Sequence, residues 1–142
     1  MNEDPVLLIE DNPDDVLLTK RAFAKANLVN EVIVAEDGAD ALERLLPADG
    51  TPGVVPVVIL LDLNLPIIDG HEVLRRLRAD PRTRLLPIVV LTTSAEERDL
   101  VEAYEHGANS YVRKPVDFIE FLEAAKTLGL YWALLNRCLP HP

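Results

Sequence analysis

Five short apolar runs alternate with longer segments of helical periodicity along this chain of 142 residues. The pattern predicts strands at about residues 6–10, 31–36, 56–62, 87–92 and 109–113. It predicts helices at about residues 13–27, 38–46, 70–79, 95–106 and 118–137. The first, third and fourth strands are apolar throughout, which is typical of strands covered on both faces. Regular alternation of strand and helix indicates the α/β class, with right-handed crossovers and a parallel sheet between two layers of helices.

Capping signals mark the predicted helix starts. Asn12 is followed by Pro13 and two acids, and four further capping residues each stand three positions before an acid: Asp37, Asp69, Ser94 and Asp117. Gly107 is predicted to end the fourth helix. Many of the acidic residues therefore have a structural explanation, because acids stabilise the positive end of a helix.

Two of the apolar strands end in acids. The third strand ends in Asp62, and the first ends in Glu10, which Asp11 follows directly. Because ligands of a parallel sheet bind at the carboxyl ends of its strands, the three carboxylates are expected to meet there if the first strand is central. Such close like charges require that one group takes up a proton or that a hard cation such as Mg²⁺ binds among them. Alternatively, the acids are helix caps and loop residues that follow strands by chance. The strand–loop–helix turn from Asp62 to Gly70 disfavours this interpretation.

Two further strand ends contribute polar groups to the same predicted edge. Thr92 ends the fourth strand with a hydroxyl, and Lys114 follows the fifth strand with an ammonium group. Three acids, a hydroxyl and an amine form a site suited to a phosphoryl group on a carboxylate, since cations neutralise its oxygens and the hydroxyl donates a hydrogen bond.

On these residues the chain resembles the receiver domain of bacterial response regulators, over about residues 5–128. The matching residues are Glu10, Asp11, Asp62, Pro66, Asp69, Gly70, Thr92, Tyr111, Lys114 and Pro115. The stretches 61–66 and 91–94 are most similar to single-domain regulators that partner bacterial phytochromes. The resemblance implies a flavodoxin-like, doubly wound sheet of five parallel strands in the order 2-1-3-4-5, with five helices.

The resemblance also implies a role for each acid. Asp62 is expected to accept a phosphoryl group from a sensor histidine kinase. Asp11, Asp62 and the backbone carbonyl of Asn64 are expected to bind Mg²⁺. Glu10 contributes directly or through water, because the family more often has Asp at its position.

The remaining matches imply a switch. Lys114 is expected to pair with the phosphoryl group, while Thr92 moves toward it and Tyr111 turns inward. These movements reshape the face formed by the fourth helix, the fifth strand and the fifth helix. The resemblance thus implies a signalling switch and not an enzyme, apart from its own phosphorylation and slow dephosphorylation.

Composition limits the classes of partner. The net charge of −10 and a pI of about 4.6 argue against nucleic-acid and membrane surfaces as partners. Cys138 is the single cysteine, which excludes an intrachain disulfide framework. Without a signal peptide or an apolar run long enough to span a bilayer, a cytoplasmic location is expected.

The C-terminal segment raises the question of assembly. We expect one receiver domain over residues 1–142, with a core of about 5–128, a helical extension at 129–142 and no output domain. Residues 130–135 are apolar on every side of a helix, which predicts a homodimer through the fifth helix. Alternatively, the tail folds back on its own domain, a bend that Gly129 would allow. The three histidines, His71, His106 and His141, are interpreted as surface residues.

Three other functions compete with a phosphoacceptor switch. A phosphatase with an aspartyl nucleophile needs an acid two residues after that nucleophile, and Asn64 cannot act as one. A nucleotide-binding module is disfavoured because the six glycines form neither a dinucleotide fingerprint nor a P-loop. A receiver-like domain that is never phosphorylated is disfavoured because every pocket position is filled.

Overall fold

Strands and helices alternate through the computed structural model, which describes residues 4–25, 30–92, 97–114 and 119. The strands are β1 (Val6–Ile9), β2 (Val32–Ala35), β3 (Val58–Asp62), β4 (Ile88–Thr92) and β5 (Ser110–Arg113). The helices are α1 (Pro13–Lys25), α2 (Gly38–Leu45), α3 (Gly70–Ala79) and α4 (Glu97–Glu105). These bounds agree with the sequence prediction to within about two residues. The predicted fifth helix and the tail after it lie outside the described residues, apart from position 119.

The five strands form one parallel sheet in the predicted order, β2-β1-β3-β4-β5. β1 is therefore central, with Ile9 opposite both Ala35 and Leu61. At the same edge, Asp62 stands opposite Leu91 in β4. The register thus brings the residues that follow β1 and the last residue of β3 to neighbouring positions.

Both faces of the sheet are covered, which explains why the strands lack a polar alternation. Leu7, Ile9 and Leu61 point into a core that includes Val73 and Leu77 of α3. The intervening strand residues point the other way, into a second core that includes Phe23 of α1. Successive side chains of a strand face opposite sides, so a strand between two helix layers needs an apolar residue at every position.

Three of the predicted helix caps are present. The side chain of Asn12 accepts hydrogen bonds from Asp14 N at 2.9 Å and Asp15 N at 3.3 Å. Asp37 caps α2 and Asp69 caps α3 in the same manner. The predicted caps Ser94 and Asp117 lie outside the described residues.

The turn after α4 depends on a glycine. Gly107 has a φ of +103°, a region that L side chains rarely adopt, and it donates a hydrogen bond to Tyr104 O at 3.0 Å. This is the geometry of a helix C-cap, as the sequence predicts. Among the described residues, no helix is long and apolar enough to cross a membrane.

Candidate functional site

Three carboxylates meet at the carboxyl edge of the sheet, and we refer to Glu10, Asp11 and Asp62 as the acidic pocket. One oxygen from each lies within 4.8 Å of the others. The side chains of Glu10 and Asp62 are only 2% and 5% exposed, whereas Asp11 is exposed. The predicted convergence of acids is therefore present, with two of its members almost fully removed from water.

Backbone groups hold the two buried carboxylates in place. Glu10 Oε2 accepts a hydrogen bond from Asn12 N at 3.3 Å. Asp62 Oδ1 accepts one from Asn64 N at 3.1 Å. Each acid is thus oriented by the loop that follows its own strand, because the chain turns back over the strand end.

A glycine brings α3 close to the end of β3. A Cβ atom on Gly70 would lie 2.4 Å from the carbonyl oxygen of Asp62 and 2.6 Å from Leu63 Cα. Gly70 N also donates a hydrogen bond to Leu63 O at 3.0 Å. The start of α3 can pack on the backbone of Asp62 only because this position lacks a side chain.

Lys114 supplies the positive charge of the site. Its Nζ atom lies 3.2 Å from Asp62 Oδ2 and 3.0 Å from Asp15 Oδ2, and it forms a third ion pair with Glu10 Oε1. The Lys114 side chain is 8% exposed, so the charges interact with little screening by water. One ammonium group therefore bridges two members of the acidic pocket.

Burial and charge shift the pKa values of this pair. Burial raises the pKa of Glu10 from 4.5 to about 7, with the help of nearby Asp62 and against the charge of Lys114. Burial alone would lower the pKa of Lys114, but hydrogen bonds to Glu10 and Asp15 outweigh it, and the pKa lies above its ordinary value. Lys114 is therefore charged at neutral pH, and Glu10 is poised between its two forms.

The other predicted site residues stand at or near the ends of β3, β4 and β5. Thr92 is the last residue of β4, and only its backbone belongs to the described part of the chain. Tyr111 in β5 is partly buried and packs against the core on the α3 side of the sheet. Asn64 is exposed in the loop directly after β3.

Asp15 belongs to the site although the sequence predicts for it only a role at the start of α1. Its carboxylate accepts a hydrogen bond from Lys114 Nζ at 3.0 Å, across 99 positions of sequence. A signal was available, because Asp15 lies in the first turn of α1, which follows the acidic end of β1. Its approach to Lys114 depends on the rotation of α1 about its axis, which the sequence pattern leaves open.

The donor set of the acidic pocket fits a hard divalent cation. Carboxylate oxygens are the ligands that Mg²⁺ and similar ions prefer. Two buried acids and one exposed acid within 4.8 Å combine a shielded site with an open side on which the ion can keep water. The arrangement can also hold a phosphoryl group on one carboxylate, since Lys114 stands beside the same oxygens.

Comparison with known proteins identifies the family. Residues 6–126 match the model of the response regulator receiver domain. The probable methanogenesis regulatory protein FilR2 of Methanothrix harundinacea is 39% identical over 95% of this chain and 88% of its own length. The solved structure of the bacteriophytochrome response regulator AtBRR is 48% identical, covers 96% of this chain and 99% of its own, and superposes with a TM-score of 0.83.

Two further solved structures are informative about the pocket. The Mn²⁺-bound form of the response regulator Rcp1, a protein of Synechocystis sp., is 31% identical, with 98% of this chain and 99% of that chain covered and a TM-score of 0.72. The phosphorylated cyanobacterial phytochrome response regulator RcpA is 34% identical, with 92% and 94% covered and a TM-score of 0.72. The chain belongs to the response regulator receiver domains, the phosphoryl-accepting domains of two-component signalling.

Proposed function

We propose that Asp62 is the phosphoacceptor of this chain, a cytoplasmic response regulator that receives its phosphoryl group from a sensor histidine kinase. The local environment of the Asp62 carboxylate supports this most directly. This carboxylate is 5% exposed, has Lys114 Nζ at 3.2 Å, and shares the pocket with Glu10 and Asp11. A buried carboxylate among other acids and beside a fixed cation has the chemistry of a phosphorylation site.

The proposed reaction is a displacement at phosphorus. A carboxylate oxygen of Asp62 attacks the phosphorus of a phosphohistidine, a P–O bond forms, and the P–N bond breaks. The released imidazole nitrogen takes up a proton from water. Lys114 neutralises the oxygens of the transferred group, and Thr92 at the end of β4 donates a hydrogen bond to it.

A Mg²⁺ ion is part of the proposal. Asp11, Asp62 and the backbone carbonyl of Asn64 would hold it, with Glu10 contributing directly or through water. When bound, the ion neutralises charge on the phosphoryl oxygens. The approach of the three carboxylates to within 4.8 Å of one another supports this assignment, as does the Mn²⁺-bound form of the related Rcp1.

Phosphorylation would change the surface of the domain through two residues. We propose that Thr92 moves toward the phosphoryl group and that Tyr111, which already packs against the core, turns further inward. The face involved includes α4 and β5, together with the predicted fifth helix. The phosphoryl group adds about −1.5 to −2 charges, and it shifts the conformational equilibrium only through contacts that differ between the two states.

The chain would hold its phosphoryl group rather than hydrolyse it rapidly. A phosphatase of this type uses an acid two residues after the nucleophile to activate water. Here that position is Asn64, whose backbone N–H instead orients Asp62. Self-catalysed phosphorylation with slow dephosphorylation is therefore the proposed extent of its catalysis.

A bacteriophytochrome-type histidine kinase is the proposed partner, because the similar protein AtBRR is a bacteriophytochrome response regulator. We also propose a homodimer through the C-terminal helix, on the basis of the apolar stretch at 130–135. Sedimentation of a chain that ends at Leu128 tests the dimer: a monomer supports this interface, and a persisting dimer contradicts it.

Mass spectrometry after incubation with Mg²⁺ and a small phosphodonor tests the acceptor assignment. Wild type should gain one phosphoryl mass, and Asp62→Asn should gain none. Asp69→Asn is the matched control, since Asn also caps helices and the substitution lies in the same loop. It should be phosphorylated like wild type. A phosphoryl group on Asp62→Asn would contradict the proposal.

A further inference from the structure

Two histidines and a glutamate meet between α3 and the end of α4, and we refer to His71, Glu102 and His106 as the histidine cluster. One potential ligand atom from each residue lies within 4.8 Å of the others. His71 Nε2 is 3.9 Å from Glu102 Oε2, and the two imidazole rings stand 5.5 Å apart at 77°. The sequence interpretation of these histidines as separate surface residues missed this arrangement.

The contacts among the described residues leave the two imidazoles incompletely satisfied. The Nδ1 atoms of His71 and His106 are both buried, and neither has a hydrogen-bond partner in the described part of the chain. The separation of 3.9 Å between His71 and Glu102 is too long for a hydrogen bond. A buried polar atom without a partner destabilises the fold, so internal hydrogen bonding does not explain the cluster.

We propose that the histidine cluster binds a divalent transition-metal ion of the Zn²⁺ class. Two imidazole nitrogens and one carboxylate are a ligand set that Zn²⁺ accepts, with a fourth position left for water. Mg²⁺ prefers oxygen ligands, so this site selects a different class of metal from the acidic pocket.

The observed spacing is close to that of a metal site. Ligand bonds of about 2.0–2.2 Å place neighbouring ligand atoms roughly 3.4 Å apart in a tetrahedron. The three ligand atoms, now within 4.8 Å of one another, therefore need to approach by at most about 1.4 Å, which side-chain rotation covers. The side chains of His71 and Glu102 are 20% and 44% exposed, which leaves room for this movement.

The backbone already presents the ligands from two fixed elements. His106 N donates a hydrogen bond to Glu102 O at 3.0 Å, so these residues lie one helical turn apart on the same face. Arg78 of α3 joins α3 to the turn after α4, with Nε 2.9 Å from Gly107 O and Nη2 2.7 Å from Asn109 Oδ1. A preorganised scaffold lowers the entropic cost of binding.

A cation can reach the site from solvent. Arg98, Val101, Glu102, Glu105 and His106 line a surface groove along α4. Glu105 places a second carboxylate in this groove, and Arg98 a positive charge. A bound ion would join α3 to α4, and α4 belongs to the face proposed to switch on phosphorylation.

Calorimetric titration of the full chain with Zn²⁺, in excess Mg²⁺ to occupy the acidic pocket, tests the proposal. Wild type should bind one Zn²⁺ ion at the histidine cluster. His71→Gln, His106→Gln and Glu102→Gln should each weaken binding by at least about tenfold, the smallest loss common even for residues that only support ligands.

Three control variants separate this site from other potential ligands. Glu43→Gln removes an exposed acid of α2, a helix that contributes no residue to the cluster, while His141→Gln and Cys138→Ser remove potential ligands of the C-terminal segment. All three should bind Zn²⁺ within about twofold of wild type, a change of less than about 0.5 kcal/mol.

Glu102→Gln is the cluster variant that should disturb the fold least, because the Glu102 side chain is nearly half exposed and Gln has the same shape. Circular dichroism of each variant verifies the fold. Visible absorption of the Co²⁺-loaded chain, which reports nitrogen ligation, should be lost in both histidine variants. Equal Zn²⁺ affinity in wild type and all three cluster variants would overturn the proposal, and so would wild type that binds no Zn²⁺. Neither result would affect the assignment of Asp62.

Discussion

The acidic pocket and the histidine cluster each bring three potential metal ligands within 4.8 Å, but they are built in different ways. The pocket stands at the ends of β1 and β3, whose register fixes the relative positions of Glu10 and Asp62. The cluster stands between two helices, where only side-chain packing decides which residues meet. A site made from strand ends follows from sheet topology, whereas a site on helix surfaces needs the full tertiary structure.

The two sites also differ in how their charges are balanced. Lys114 contacts two acids of the pocket, so the ligands there are paired even without a metal ion. The buried Nδ1 atoms of the cluster have no such partner among the described residues. The pocket is therefore organised before it binds an ion, whereas the side chains of the cluster have no such internal pairing to hold them.

The largest expected effect comes from removal of the bridging cation. Lys114→Met leaves Glu10 and Asp62 buried without a positive partner, and loss of one partner of a buried pair costs about 3–5 kcal/mol. Urea unfolding in the presence of a chelator measures this loss. Arg113→Met, an exposed neighbour, is the control and should change the free energy of unfolding by no more than about 0.5 kcal/mol. Equal effects would show that the pairing does not stabilise the pocket.

The raised pKa of Glu10 predicts a pH dependence of the metal-free chain. In the unfolded chain this carboxyl loses its proton near pH 4.5, and in the folded chain near pH 7. Between these two pH values the folded chain therefore binds more protons than the unfolded chain. The stability that the Glu10 carboxyl contributes falls as the pH rises through that window. At 1.36 kcal/mol per unit of pKa, the full loss is on the order of 3 kcal/mol.

Glu10→Gln isolates this contribution. The variant lacks the titrating group, so its free energy of unfolding should fall less than that of wild type between the two pH values. Urea titrations over a pH series with a chelator present give the difference. Parallel curves for the two chains would show that Glu10 titrates with its ordinary pKa.

A crossed metal titration tests whether the two sites are independent. Asp11→Asn removes one carboxylate from the pocket and should lower Mg²⁺ affinity by about tenfold, or about 1.4 kcal/mol. It should leave Zn²⁺ binding unchanged. Glu102→Gln should do the reverse. If either substitution weakens both metals equally, the two sites do not bind separately.

The smallest effect concerns the turn that supports the histidine cluster. Gly107→Ala forces an L side chain into a φ of +103° and also places a Cβ atom 2.7 Å from Arg78 Cγ. Gly50→Ala is the matched control, since Gly50 has a φ of +78° but open space around it. Both should destabilise the fold, and thermal unfolding should show an excess of about 1 kcal/mol for Gly107→Ala. An equal loss would mean that Arg78 moves aside freely.

Most of the fold was predictable because its signals are local. Apolar runs, capping residues such as Asp37 and Asp69, and Gly107 gave the described elements to within about two residues. The strand order came from resemblance to a family. The predicted fifth helix, the homodimer and the extent of the domain remain predictions, since they concern residues outside those described.

The sequence by itself placed the acids of the pocket at the carboxyl ends of parallel strands, and the family resemblance supplied the strand order that makes two of these strands neighbours. The tertiary structure alone decided that Asp15 reaches Lys114 across 99 positions and that a residue of α3, one of α4 and the residue after α4 form the histidine cluster. Strand register is set by backbone hydrogen bonds that every residue makes. The rotation and packing of helices depend instead on how whole side-chain surfaces fit together, and the periodic pattern does not encode which exposed residues then become neighbours.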